Sequence, residues 1–428
     1  MKKINLGICK LLFISVILAI FGSCTPTVDD VFESSSSARI TKALQDYETV
    51  LQSAQNGWLM KYYPASDQQY GGYNIIVKFG TDGNATLACD AFDPTQTSTS
   101  HYTLSQSAGP VITFDEYNSI LHYFSNPINP DNIGKQGQGM NGDFEFTIRE
   151  ATKDKVVMYG KKTNSRIEMV PFTGSSWSDY LKSITTLEAK TGIYAANKYT
   201  AGNVTADITF NYRCMVMTYT DDKGATVTKK APYIVTDKGF EFYDTLSLGG
   251  VKVKNLIYKG GDNNEFDSEA GDAKLQGVVV PLSKLLLSGS IDWYFSYSNM
   301  GEYGKPFWEK GMTDLKTAEG ETLGYFVLEG STIYFKSGKW AGKLYMTATQ
   351  DSDDTVTLKY VSGDSNGTYY YKYGYMQYLL FPISKGTDGR TFTLSTDNIK
   401  NPTSIILTDK SKPTNVFKVM KAVTDPNS

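Results

Sequence analysis

Two hydrophobic periods divide the chain. Ile40, Leu44, Tyr47, Leu51 and Ala54 recur at helical spacing and are closed by Asn56-Gly57, which predicts one amphipathic helix. From Trp58 onward apolar and polar positions alternate in short runs, at 58–63, 73–79, 85–89, 102–104, 111–114, 144–148, 156–159 and 167–170. Turn signals such as Gly80-Thr81-Asp82-Gly83-Asn84 separate them. Short strands in series predict an antiparallel barrel or sandwich, and the apolar stripe of the helix is expected to dock on it.

A second helix is signalled by Ser176-Trp177-Ser178-Asp179, a capping-box pattern followed by Tyr180, Leu181, Ile184 and Leu187 and stopped by Gly192. Strand-turn-strand patterning then restarts. The run "APYIVTDKGFEFYDTL" loosely echoes "SHYTLSQSAGPVITFDEY", as duplication or two hairpins of one plan would. The fold class expected is mainly β, with antiparallel barrel- or sandwich-like domains, an N-terminal amphipathic helix and a short connecting helix. The expected division is a signal peptide at 1–23, a stalk at 24–37, and a helix plus first β domain at 38–175. The connecting helix, second β domain and an aromatic segment follow at 176–320, and a C-terminal β region at 321–428.

Composition sharpens this picture. The 428 residues hold 30 Tyr and 38 Gly but only 2 His and 4 Cys, which fits a β-rich, turn-rich chain. The formal net charge is −3; without the leader lysines Lys2, Lys3 and Lys10 the 42 basic residues become 39 against 45 acidic ones, a net −6. No basic cluster remains to neutralise phosphates, so a nucleic-acid partner is excluded.

The first residues read as an export signal: Lys2, Lys3 and Lys10, an apolar run over 11–21, then Phe21-Gly22-Ser23-Cys24. As a helix the run would span roughly 17 Å at 1.5 Å per residue, too short for a bilayer core. The four residues ending in Cys24 resemble a bacterial lipobox, in which the thiol receives diacylglycerol and the cysteine becomes the first mature residue. At about 0.8 kcal/mol per buried CH₂, two or three acyl chains anchor a protein without a membrane span. Asp29, Asp30 and Glu33 follow; they resemble a signal for the outer cell surface, and a solvated linker would read the same way. Cys89 and Cys214 sit in strand-like runs and read as buried small hydrophobes, with a disulfide as the alternative.

The segments "SAQNGWLMKYYP", "YGGYNIIVKFGTDGN", "GPVITFDEYNSILHYFSNP" and "GDFEF" together resemble domain-of-unknown-function family 4302, lipoproteins of the outer membrane in gut Bacteroidota. The matching words lie in the first half of the chain. What the resemblance implies is location and company: an outer-membrane lipoprotein, facing the cell exterior, beside a nutrient-uptake system with a transporter barrel and a lipoprotein lid. It brings no catalytic or binding residues.

Gly363-Asp364-Ser365-Asn366-Gly367 matches G-x-S-x-G, but a tyrosine-rich strand is expected to follow, and both histidines, His101 and His122, precede the serine; a hairpin turn is the reading. Gly137 to Gly142 fits G-x-G-x-x-G but precedes a strand, so it reads as a loop. His122 reads as a packed strand residue. No cofactor is expected; the oxygen-rich stretches 260–272 and 351–354 are the candidates for calcium, though neither keeps EF-hand spacing. Adjacent Asp115 and Glu116 would face opposite ways on a strand and make a poor catalytic dyad.

The aromatic residues carry the functional expectation. Tyr369, Tyr371, Tyr373 and Tyr375 alternate in "TYYYKYGYMQY" and would line one strand face. Trp293, Tyr297 and Trp308 sit in a loop-like aromatic segment. Flat rings with polar tips suit stacking on sugars or a partner protein. The function expected is a non-enzymatic accessory that binds a glycan or other nutrient through these seven residues. The alternatives are a docking subunit of an uptake complex, or a hydrolase with an unrecognised carboxylate pair.

Overall fold

The computed structural model describes residues 36–428 apart from residues 108 and 387. The leader, Cys24, Asp29, Asp30 and Glu33 lie outside the described residues. The described chain forms two compact units, one of residues 36–62, 75–88 and 96–175, the other of residues 63–74, 89–95 and 176–428.

In the first unit, helix α1 (Ser36–Gln52) sets its stripe half-buried at Ile40, Leu44 and Tyr47 and fully buried at Leu51. Trp58 opens strand β1 (Trp58–Tyr62), and its indole N–H donates to the Leu51 carbonyl at 2.7 Å, tying helix to sheet. The remaining strands are β2 (Tyr73–Phe79), β3 (Asn84–Cys89), β4 (Ser98–His101), β5 (Thr103–Gln106), β6 (Pro110–Thr113), β7 (Glu145–Ala151), β8 (Val156–Gly160) and β9 (Arg166–Pro171). They form one sheet in the order β4-β3-β2-β1-β9-β8-β7-β6-β5, so the first strand lies beside the last and the short strands β4 and β5 are the edges. Each predicted run is a strand; β4, with sequence Ser-Thr-Ser-His, has no apolar alternation to announce it. The sequence reading of His122 as a strand residue is corrected: it lies in a short helix, α2 (Leu121–Ser125), because the Asn118 carboxamide accepts the Ile120 and Leu121 N–H groups at 3.1 and 3.2 Å and starts a turn there.

The second unit begins at Ser176, whose hydroxyl accepts the Asp179 N–H and caps helix α3 (Trp177–Glu188). Eight strands follow: β10 (Ala196–Ala201), β11 (Val204–Asn211), β12 (Cys214–Thr220), β13 (Thr226–Val235), β14 (Gly239–Leu248), β15 (Val251–Gly260), β16 (Glu265–Ser268) and β17 (Ala273–Val278). Each pairs with its sequence neighbour, and β10 pairs with β17 to close a barrel. Tyr199, Tyr233, Phe240, Phe242 and Phe266 fill it, with Ile184 and Leu187 of α3 joining the same core. Burying each of these aromatic or large aliphatic side chains contributes about 1.5–3 kcal/mol. Cys89 and Cys214 are both free thiols and buried.

After helix α4 (Leu282–Leu286) a second closed barrel is built from β18 (Trp293–Tyr294), β19 (Leu323–Glu329), β20 (Thr332–Ser337), β21 (Trp340–Ser352), β22 (Thr355–Gly363), β23 (Arg390–Ser395), β24 (Ser404–Asp409) and β25 (Val416–Met420). Helices α5 (Lys305–Glu319), α6 (Ser365–Lys372) and α7 (Tyr375–Leu380) pack onto it. Phe295 touches Phe326 edge-on at 5.5 Å and Phe417 at 5.9 Å in its centre.

Residues 365–380 correct the expected tyrosine strand. Asp364 accepts the Gly367 N–H at 2.7 Å as the N-cap of α6, and Gly374, at φ +93°, separates α6 from α7. Met376, Leu379, Leu380 and Ile383, all buried, supply a helical stripe that outweighs the strand propensity of tyrosine. The expected hairpin turn at 363–367 is therefore a strand end followed by a helix cap.

Candidate functional site

One end of the second barrel gathers three segments. Helix α5 ends at Gly320, which adopts φ +71° and donates its N–H to the Lys316 carbonyl, the usual left-handed stop. This turn places Glu319 and Glu321 on either side of one glycine. The Glu319 Oε1 accepts the Tyr369 hydroxyl at 3.1 Å and the Tyr375 hydroxyl at 3.0 Å. The Glu321 Oε2 accepts the Tyr370 hydroxyl at 2.7 Å and the Ser337 hydroxyl at 2.8 Å. Burial first, and then Glu319, push the Tyr375 phenol up to about 12. The hydrogen bond to Glu319 is the leading cause that raises Tyr369, while burial and then Glu321 raise Tyr370. The phenols therefore stay protonated and donate to the carboxylates.

The rim of this cluster is aromatic and open. Tyr369, on α6, and Tyr373, its C-cap one turn on, have ring centroids 4.7 Å apart and are 44% and 56% exposed. Trp340, 48% exposed, opens β21 opposite Ser337, the residue whose hydroxyl binds Glu321. The ammonium groups of Lys339 and Lys372 lie 5.2 Å from the Trp340 ring centre and 5.8 Å from that of Tyr373. Glu321 also borders a groove of about 340 Å³ along α5, lined by Met312, Lys316, Thr317, Thr322 and Asn427. Exposed ring faces can stack on the C–H face of a sugar while carboxylates, ammonium groups and hydroxyls at the base meet its polar groups.

The expected site residues part company here. Trp293 and Trp308 are 0% exposed and belong to the barrel core, where the Trp308 indole N–H donates to the Leu379 carbonyl at 3.0 Å. Tyr297 is half-buried against that core. Tyr371 stacks on Tyr360 at 4.0 Å, and Tyr375 is buried below the rim. Tyr369 and Tyr373 stand on the surface together, one helical turn apart rather than along a strand face. Trp340, Glu319 and Glu321 went unrecognised in the sequence. Trp340 had a signal, a tryptophan beside a Gly-Lys turn; the two glutamates had none.

Ser365 follows a strand and opens a helix, as a nucleophile elbow would, but its φ is not in the left-handed region and its unit contains no histidine. Asp351 and Asp354 of the acidic stretch 351–354 are engaged by Thr357, and by Ser352 and Thr355, in the β21–β22 hairpin. Among the described residues no group of three or more His, Cys, Asp or Glu is arranged to hold a metal ion. No helix among them is long and apolar enough to cross a membrane.

The fold is thus that of a multi-barrel β protein with an open aromatic and carboxylate surface. The chain belongs to the family described as "Domain of unknown function (DUF4302)", whose model matches residues 28–260 of 428, more than half the chain. The aromatic rim lies beyond that match. No curated protein matches the sequence. Solved structures aligned with it include a putative DNA polymerase III beta subunit from Eubacterium rectale, at 8% identity over 90% of this chain and 98% of that one, with a TM-score of 0.13. DNA polymerase III beta chains from Streptococcus pneumoniae, at 10% identity and TM-score 0.11, and Thermotoga maritima, at 8% and 0.13, each cover 90% of this chain and 98% of their own. Scores this low do not mark a common fold.

Proposed function

We propose that this protein is a lipid-anchored outer-membrane accessory, displayed on the cell exterior, that binds a glycan without transforming it. The observation that carries the reading is the pair of open rings, Tyr369 and Tyr373, with Tyr369 fixed by its hydroxyl on Glu319. An aromatic surface held by a hydrogen-bond cluster loses little freedom when a sugar settles on it, which is what a binding platform requires. The lipobox-like Phe21-Gly22-Ser23-Cys24 supports the anchor, and the acidic residues behind it support surface display. In this role the protein passes ligand to an outer-membrane transporter and its lipoprotein lid.

Affinity electrophoresis through gels containing soluble polysaccharides tests the binding. Wild-type protein is slowed and Y369A/Y373A is slowed less; equal mobility of the two on every gel that slows wild type rejects the platform. Labelled fatty acid should enter the wild-type protein and not C24A. Retention of C24A in the membrane fraction would reject the anchor.

A further inference from the structure

The connection 114–144, between β6 and β7 of the first unit, holds a second open ring in a rigid frame. Its opening residues are fastened to the edge strand β4. The Asp115 carboxylate lies 2.7 Å from His101 Nδ1, and Glu116 accepts the His101 backbone N–H at 3.2 Å. The Asn118 amide donates to the Ser98 carbonyl and the Ser100 hydroxyl, both at 3.2 Å, and the Asn118 backbone N–H donates to His122 Nδ1 at 3.1 Å. Two of these bonds occupy backbone groups of the edge strand β4, the His101 N–H and the Ser98 carbonyl.

Tyr117 stands among these fastenings with none of its own, 71% exposed. Its ring lies 5.3 Å from that of His122, and His122 stacks on Phe144 at 4.8 Å with planes 25° apart. The phenol is thus an exposed ring at the end of an aromatic series whose backbone is already ordered. The entropy of fixing a loop on binding has been met during folding.

We infer that Tyr117, backed by His122 and Phe144, is a second carbohydrate platform, for neutral sugars. A pyranose offers a flat C–H face to the ring and hydroxyls to the polar rim. That rim is polar and half-exposed at Asp115 and His101, unlike the apolar, charge-depleted centre of a protein interface. Asp115 and Glu116, on the two positions before Tyr117, repel an anionic sugar. The site lies within the family match at 28–260 and uses no residue of the Tyr369 cluster, so the two stand or fall separately.

The test uses the mature chain with Y117A, Y369A/Y373A and the triple variant, run through gels containing xyloglucan, galactomannan, mixed-linkage glucan or polygalacturonate. Unchanged melting temperatures confirm that the variants fold. On at least one neutral polysaccharide Y117A should bind about five- to tenfold more weakly than wild type, with the triple variant weaker than either parent. Y117A moving like wild type on all neutral gels overturns this inference and leaves the Tyr369 platform standing. Loss in Y117A alone does the reverse. Retardation by polygalacturonate only, or by no polysaccharide, overturns the neutral-sugar assignment.

Discussion

Arg213 Nη1 lies 3.0 Å from Asp90 Oδ2, and both side chains are almost wholly withdrawn from water. The same guanidinium holds Glu188 through Nε and Nη2 at 2.7 and 2.6 Å and donates to the Gly72 carbonyl at 2.9 Å. Asn74 adds two further donors to Asp90 Oδ2, at 3.1 Å from its N–H and 2.6 Å from its amide. One planar cation thereby fixes residues 72–74 and 90 against the first closed barrel, within the second unit. Because removing one partner of a buried pair strands the other, Arg213→Ala should cost about 3–5 kcal/mol in urea unfolding. Arg213→Lys should recover little, since a point charge cannot replace the fork. A loss below about 1 kcal/mol would show that the pair is dispensable.

Asp364 caps α6 and also accepts the Lys343 N–H at 3.1 Å. Asp364→Ala should destabilise the protein by about 0.5–2 kcal/mol. Because α6 carries Tyr369 and Tyr373, polysaccharide binding should weaken with it. Asp364→Asn, which keeps an accepting oxygen, should restore most of both.

Glu319→Gln removes the charge shared by two phenols. Tyr375, held near 12 by burial and then Glu319, should titrate lower in the variant, though above an exposed tyrosine because burial remains. Ultraviolet difference titration reads this directly, and an unmoved curve would mean that Glu319 does not act on the phenol.

Stability should fall in two steps on acidification. Burial holds the His122 imidazole below its ordinary pKa of 6.5, against an opposing hydrogen bond with Asn118. A depressed folded pKa stabilises above the unfolded value, so that contribution is lost as pH falls below about 6.5. For Asp409, burial raises the carboxyl, but hydrogen bonds from Ser411, Asn415 and Arg390 prevail and hold it below the ordinary value. Its contribution is present above pH about 4 and lost below. Melting temperatures of His122→Gln should lack part of the first step, and those of Asp409→Asn part of the second.

Strands were legible wherever alternation reached the core. β1 shows it, with buried Trp58, Met60 and Tyr62, whereas β2 is legible from its continuous apolar run Ile75-Ile76-Val77. Ser176 likewise marked α3 through a cap that recurs in the structure. In Tyr369 to Tyr375 the period of two imitates a strand face, whereas Asp364 and the stripe from Met376 to Ile383 decide the local structure. The site itself was half legible. Tyr369 and Tyr373 were identified, but Trp293 and Trp308 look the same in sequence and differ only in being packed on all sides. Glu319 and Glu321 matter through tyrosines 50 and 49 positions away, a pairing no local pattern encodes.

Strand order also sets how the second unit can assemble. In the first closed barrel every strand except at the seam meets its neighbour in sequence across a short turn, so hairpins can form one after another with little search. In the second barrel β18 meets β19, and β22 meets β23, across long helical connections, whereas in the first the seam alone joins distant ends, Ala196 and Val278. Closing that loop costs about 2 kcal/mol more than closing a ten-residue hairpin. Seam closure is therefore expected to be the slowest pairing of the first barrel to form.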